Sequence, residues 1–165
     1  MDGDMLKTIA VAVFLGQAAS AGELVLGIGG DDLLDKEGRE SIAFLFEYHT
    51  EPFYEGRILN LSLMGVVQVD KDNDTFAGFG VHNRTNFGQQ QRYFWEASLA
   101  VGHYDVGGTS TDHHDGTLFR SSLGLGVHLS ERDRLSVTLD HLLDLDMKNK
   151  RPGSETIMLR YGVDF

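Results

Sequence analysis

In the second half of the chain apolar and polar residues alternate with a period of two. Leu135, Val137, Leu139, His141 and Leu143 fall on one face of an extended segment, and Ser136, Thr138, Asp140 and Asp144 on the other. Ile157, Leu159, Tyr161, Val163 and Phe165 likewise oppose Met158, Arg160, Gly162 and Asp164. Tyr93, Trp95, Ala97, Leu99 and Val101 oppose Glu96, Ser98, Ala100 and Gly102, while Leu123, Leu125, Val127 and Leu129 oppose Arg120, Ser122, Gly124, Gly126 and His128. A helix cannot hold such sets on two clean faces, whereas successive side chains of a strand point to opposite sides. The pattern predicts eight strands, over 23–30, 39–49, 57–69, 75–83, 92–104, 117–129, 133–144 and 154–165.

An even strand number, and strand lengths near the ~9–11 residues of a tilted membrane strand, point to an all-β, eight-stranded antiparallel transmembrane barrel with its apolar rows outward. A soluble barrel would show the same parity with those rows turned inward. Phe44, Phe46, Tyr48, Tyr93, Trp95 and Tyr161 lie on the apolar rows, as an interfacial aromatic girdle requires, and the last strand ends in an aromatic, Phe165. With both barrel ends of the chain on the periplasmic side, "EPFYEG", "RTNFGQQ" and "SERD" become periplasmic turns. "DDLLDKEG", "DKDND", "DVGGTSTDHHDG" and "LDMKNKRPG" become cell-surface loops.

The amino-terminal stretch strengthens the outward assignment. Lys7 precedes an apolar run from Ile9 to Leu15, and Ala19-Ser20-Ala21 supplies the small-x-small pattern of a cleavage site. The run is well short of the ~20 residues of a spanning helix. Residues 1–21 are therefore expected to be a signal peptide, and 22–165 a single barrel domain in the bacterial outer membrane. The 165 residues carry a net charge of −11, which disfavours nucleic acid as a partner. There is no cysteine, so disulfides play no part in holding the exported domain together.

Several stretches suggest chemistry that their details do not sustain. "DKDNDTFAGFGV", from Asp70, starts with the acidic spacing of a calcium loop, but Thr75 replaces the required glycine and Val81 the bidentate glutamate. His113 and His114 with Asp112 and Asp115 are consecutive on a loop, a poor basis for a closed coordination shell. "GIGG", Gly27 to Gly30, lacks the helix that a nucleotide loop needs. No metal site and no cofactor are expected.

The stretch "DHLLDLDMKNKRPGSE", Asp140 to Glu155, is different. His141 sits near the outer end of the seventh strand and Glu155 at the start of the eighth, both on apolar rows, so an ionisable pair faces lipid at the level of the outer leaflet. Such a pair is costly unless it is used or lies close to the headgroups, where the cost falls to about 0–1 kcal/mol. From Phe119 to Phe165 the sequence resembles the lipid A 3-O-deacylases, the acyloxyacyl-hydrolase-like outer-membrane barrels. Members carry a His-x-Ser-Asn motif on the penultimate strand, a turn containing Asn-Pro-Gly or similar, and a Glu heading the last strand; His141, Lys150-Arg151-Pro152-Gly153 and Glu155 occupy these positions. The resemblance implies that histidine acts as general base, glutamate orients it, and serine attacks an acyl ester of lipid A, the division of labour of a triad. It also implies lipopolysaccharide of the outer leaflet as partner, and it leaves room for a homodimer.

The match fails at the nucleophile. The serine position is Leu143 and the asparagine position is Asp144, so the motif strand offers no attacking oxygen and sets a carboxylate where an oxyanion should be stabilised. The expectation is a deacylase-type barrel with impaired or lost hydrolysis, or a non-catalytic lipid-binding or structural barrel. Lys148, Lys150 and Arg151, in the loop above His141 and Glu155, are candidate contacts for lipid A phosphates.

Overall fold

The structure is a computed structural model and describes residues 22–31, 41–71, 73–105, 107, 116–144 and 154–165. The strands are β1 (Gly22–Asp31), β2 (Ser41–Glu55), β3 (Asn60–Asp70), β4 (Thr75–Phe87), β5 (Tyr93–Asp105), β6 (Gly116–His128), β7 (Asp133–Asp144) and β8 (Ser154–Asp164). Each pairs antiparallel with its sequence neighbours, and β1 pairs with β8, so the sheet closes into a barrel without a free edge. Reciprocal backbone hydrogen bonds between Gly22 and Phe165, at 3.0 and 3.4 Å, seal that last seam. One end of the barrel carries only short connections, at Gly56–Leu59, Gly88–Arg92 and Leu129–Arg132; the other carries the three long ones, 32–40, 106–115 and 145–153, beside the short 71–74 turn.

The parity expected for a membrane barrel is the one observed. Phe79, Leu99, Leu123 and Leu125 point outward and are each at least 62% exposed, while the opposite rows fill the lumen. Most girdle aromatics also point outward. Tyr48 is buried despite its outward row, because Phe165 packs beside it, ring centroids 6.5 Å apart.

The lumen has two layers. Toward the long-loop end Ala43, Leu45, Met64, Val66, Phe76, Ala100, Leu142 and Met158 form an apolar plug. From mid-barrel down to the short-turn end runs a network of four carboxylates, Glu23, Glu47, Glu96 and Asp140, and four guanidiniums, of which Arg120, Arg134 and Arg160 are buried and Arg84 lies half-buried at the mouth. Arg120 donates to Glu47 at 2.8 Å and to Asp140 at 2.6 Å; Arg160 donates to Asp140 at 2.7 Å and approaches Glu47 at 3.4 Å. Arg134 bridges Glu96 at 2.8 Å and Glu23, which it meets through both Nε and Nη2. His49 turns one ring nitrogen to Glu23 and the other to Glu47, and stacks on His82 at 4.0 Å. Equal numbers of opposite charges, each group holding more than one partner or capping a chain of them, are what allows ions to be buried at tolerable cost. Two glycines make room: a Cβ on Gly126 would run into the Phe94 ring, and one on Gly80 into the Leu99 carbonyl.

Two expected turns are partly strand. β2 runs through "EPFYE" to Glu55, with register shifts on either side of Pro52, and β4 continues through "RTNF" to Phe87. The β1–β2 ladder ends at Gly22↔Thr50, so the last five residues of β2 pair only with β3, outside the closed barrel. They are exposed on both faces and therefore carry no inward–outward alternation to read. The actual connections are Gly56–Leu59 and a short turn in which Gly88, Gln90 and Gln91 take positive φ. At the stretch whose spacing fails as a calcium loop, Asn73 and Asp74 close a hairpin turn on Asp70, and the Asp74 carboxylate is occupied by the Tyr104 hydroxyl and the Gly107 amide.

Candidate active site

β7 and β8 bring His141 and Glu155 side by side, as the sequence spacing predicts. They are direct cross-strand partners, and His141 Nδ1 lies 3.8 Å from Glu155 Oε1. Both side chains face outward. The imidazole is 32% exposed and the carboxylate 45%. Nδ1 itself is buried and makes no hydrogen bond, so the nitrogen nearest the acid is one small side-chain movement short of donating to it.

Leu143 follows on the same outward row, 45% exposed and paired with Phe119. The motif's serine position thus presents a hydrocarbon to the outside of the barrel. Asp144 is the last residue of β7. Lys148, Lys150 and Arg151 lie outside the described residues, as do residues 1–21, His113 and His114.

Immediately beneath the His141–Glu155 pair, toward the short-turn end, the outer surface is hollowed into a groove of about 690 Å³. Leu123, Leu139 and Ile157, the next outward row of β6, β7 and β8, line its near side, and Trp95, Leu125 and Val137, the row below, line the rest. The hollow is almost wholly hydrocarbon, so it suits an acyl chain and gives a polar group no partner. A second cleft, of about 400 Å³, opens at the short-turn mouth of the lumen between Glu23, His49, His82, Arg84 and Asp164. Among the described residues no group of three or more His, Asp or Glu is arranged to hold a metal ion.

A histidine–carboxylate pair on the outward face of the last hairpin is the geometry the sequence resemblance implied; the apolar groove beneath it was not anticipated. The profile of the lipid A 3-O-deacylase (PagL) family matches residues 40–164. The chain belongs to that family. Among solved structures it is similar to the outer membrane enzyme PagL, with 13% identity and a TM-score of 0.61 over 86% of this chain and 98% of that one. It is similar also to the N-terminal β-barrel domain of Pseudomonas aeruginosa OprF, at 12% identity and TM-score 0.58 over 87% and 99%. Neisserial surface protein A follows at 10% and 0.54, over 88% and 96%. At these identities the structural likenesses establish the fold, and family membership rests on the profile. No curated protein matches the chain. This family barrel resides in the bacterial outer membrane, and His141 and Glu155 lie toward its long-loop end.

The sequence reading missed two parts of this arrangement. The luminal ion network was visible only as "small and polar" rows, because its partners lie as far apart as Glu47 and Arg160, 113 residues in sequence. The groove is built from β5, β6, β7 and β8 together, and parity alone does not reveal that Leu123, Leu139 and Ile157 lie at one height.

Proposed function

We propose that this barrel is a lipid A-directed acyl-ester hydrolase of low efficiency. The observation that carries the reading is the His141–Glu155 pair held on the lipid-facing surface directly above an apolar groove. An ionisable pair on that face costs stability except near the headgroups, and here it sits where an ester linkage of lipid A would lie with its acyl chain in the groove. His141 acts as general base and Glu155 fixes its orientation and steadies the imidazolium that forms. No cofactor is required for this chemistry. Export by the signal segment, residues 1–21, delivers the barrel, and Lys148, Lys150 and Arg151 meet the phosphates of lipid A by charge. Nothing in this reading needs a second copy of the chain, so a homodimer is not part of it.

Efficiency is low because the motif strand offers Leu143 and Asp144 in place of an attacking hydroxyl and an oxyanion donor. Losing a triad nucleophile removes most of the catalysis, and losing an oxyanion donor costs about 10²–10³-fold more. The test is mass spectrometry of lipid A incubated with the folded protein and with Leu143→Ser/Asp144→Asn. The expected result is slow loss of one 3-hydroxyacyl mass with the natural sequence and a rate at least about 100-fold higher with the double variant. Lipid A left intact by both proteins would make the barrel a lipid-binding or structural element, the reading that the hydrocarbon at position 143 favours.

A further inference from the structure

β7 has two neighbours, and His141 has a direct partner on each. On β8 the partner is Glu155; on β6 it is Ser121. Ser121 stands on the outward row with Phe119, Leu123 and Leu125, half-buried, between Leu99 of β5 and His141. Directly opposed antiparallel residues hold their Cβ atoms about 4.5–5.5 Å apart, within reach of a side-chain hydrogen bond between a serine and an imidazole. The three side chains therefore form one row across three strands, Ser121–His141–Glu155, with the base in the middle. Nδ1 is the nitrogen turned to Glu155, which leaves Nε2 for the other side of the ring. The next row down, Leu123, Leu139 and Ile157, is the near wall of the groove.

The other serines of β5 to β7 do not qualify. Ser98, Ser122 and Ser136 point into the lumen and are buried there. Ser122 and Ser136 are also bound to Arg160 and Glu96. Ser121 is the serine that these strands present to the lipid face, and it is at the height of the base.

We infer that Ser121 is the nucleophile of this barrel, taking from the neighbouring strand the role that Leu143 vacates, with an acyl ester of a lipid as substrate. This rests on the reading above that His141 and Glu155 are used for ester hydrolysis. Ser121 Oγ attacks the ester carbonyl as its proton passes to His141 Nε2. The tetrahedral oxyanion collapses, the bond from the acyl carbon to the sugar oxygen breaks, and the sugar oxygen takes the proton from His141. Water then attacks the Ser121 acyl ester, its proton going to His141, and the C–O bond to Ser121 breaks; Oγ recovers the proton and the fatty acid leaves. The acyl chain in the groove below and the headgroup above give the ester one orientation at the Ser121 row.

Two readouts test this on the folded, full-length barrel, with heat-modifiable migration on gels as the check that each variant is folded. The first is 3-hydroxyacyl release from lipopolysaccharide by the natural protein and by Ser121→Ala, His141→Ala and Ser121→Ala/Leu143→Ser. The second is labelling by a fluorophosphonate probe, with the modified residue located by peptide mass. Expected are a fall of at least about 100-fold for Ser121→Ala, recovery when serine is returned at position 143, and a probe adduct on Ser121 that disappears in His141→Ala. Hydrolysis that depends on His141 but is unchanged in Ser121→Ala, with no adduct at Ser121, would overturn the assignment and leave the hydrolase reading standing. An adduct on Ser121 that depends on His141, without release from lipopolysaccharide, would support the nucleophile and remove lipid A as its substrate. Neither adduct nor release would remove both.

Discussion

Asp140 ties two buried arginines together from the centre of the lumen, and Asp140→Asn is the sharpest way to test whether that network holds the barrel. The carboxylate is 2% exposed and accepts from Arg120 Nη2 at 2.6 Å and from Arg160 Nη2 at 2.7 Å. Charged hydrogen bonds of this kind contribute about 1.5–3 kcal/mol each. Asparagine keeps the shape and one neutral acceptor, so about half of the two interactions survives. It leaves Arg120 and Arg160 sharing Glu47 as their remaining carboxylate. The expected loss is about 3 kcal/mol, at the lower end of the ~3–5 kcal/mol for removing one member of a buried ion pair, and equivalent to about a 100-fold change in the unfolding constant. Reversible urea unfolding in lipid vesicles measures it through the emission of Trp95, the single tryptophan. Asp140→Leu/Arg160→Met, which removes one charge of each sign and leaves Arg120 with Glu47, should cost less than Asp140→Leu alone. A loss below about 1 kcal/mol for Asp140→Asn would show that water in the lumen solvates the guanidiniums, and the network would not be what holds the barrel.

Three further outcomes follow from the same geometry. Leu139→Arg, on the lipid face at mid-barrel, should lower folding stability in vesicles by about 2–4 kcal/mol, whereas a barrel with its apolar rows inward would not make that exposed position sensitive to membrane thickness or depth. Gly126→Val should push the Phe94 ring off its seat beneath Arg134 and cost about 1–3 kcal/mol or prevent folding, read by the fraction of heat-modifiable protein. Leu139→Trp, filling the groove wall below His141, should slow acyl release while leaving stability within about 1.5 kcal/mol, measured as turnover against unfolding midpoint.

How much of this was legible in the sequence depends on what each feature is made of. The strands and the outward apolar rows follow from parity, because a strand that crosses a membrane must alternate at every residue. The His141–Glu155 pairing was legible for the same reason: both residues flank one hairpin, so their relation is local. Alternation disappears where the β2–β3 and β4–β5 hairpins run past the barrel, and the strand ends were misread there. The luminal network and the pairing of Ser121 with His141 depend on register between strands, which is set by how the whole sheet closes. Parity put Asp140 and Arg160 on inward rows, and Ser121 and His141 on outward ones, without saying that the first two bond or that the second two stand opposite each other. Leu143 and Asp144 drew attention to what the motif lost, while the serine that stands across from the base is twenty residues earlier and matches no motif.

Hydrolysis at the outer face depends on use of the lipid-facing histidine. The most direct measurement is the rate of free 3-hydroxy fatty acid release from vesicles containing lipopolysaccharide, by the natural protein and by His141→Ala at equal folded amounts. Slow release by the natural protein is expected, with a fall of at least about 100-fold on loss of the imidazole. Equal rates for the two proteins, or no release by either, would contradict it.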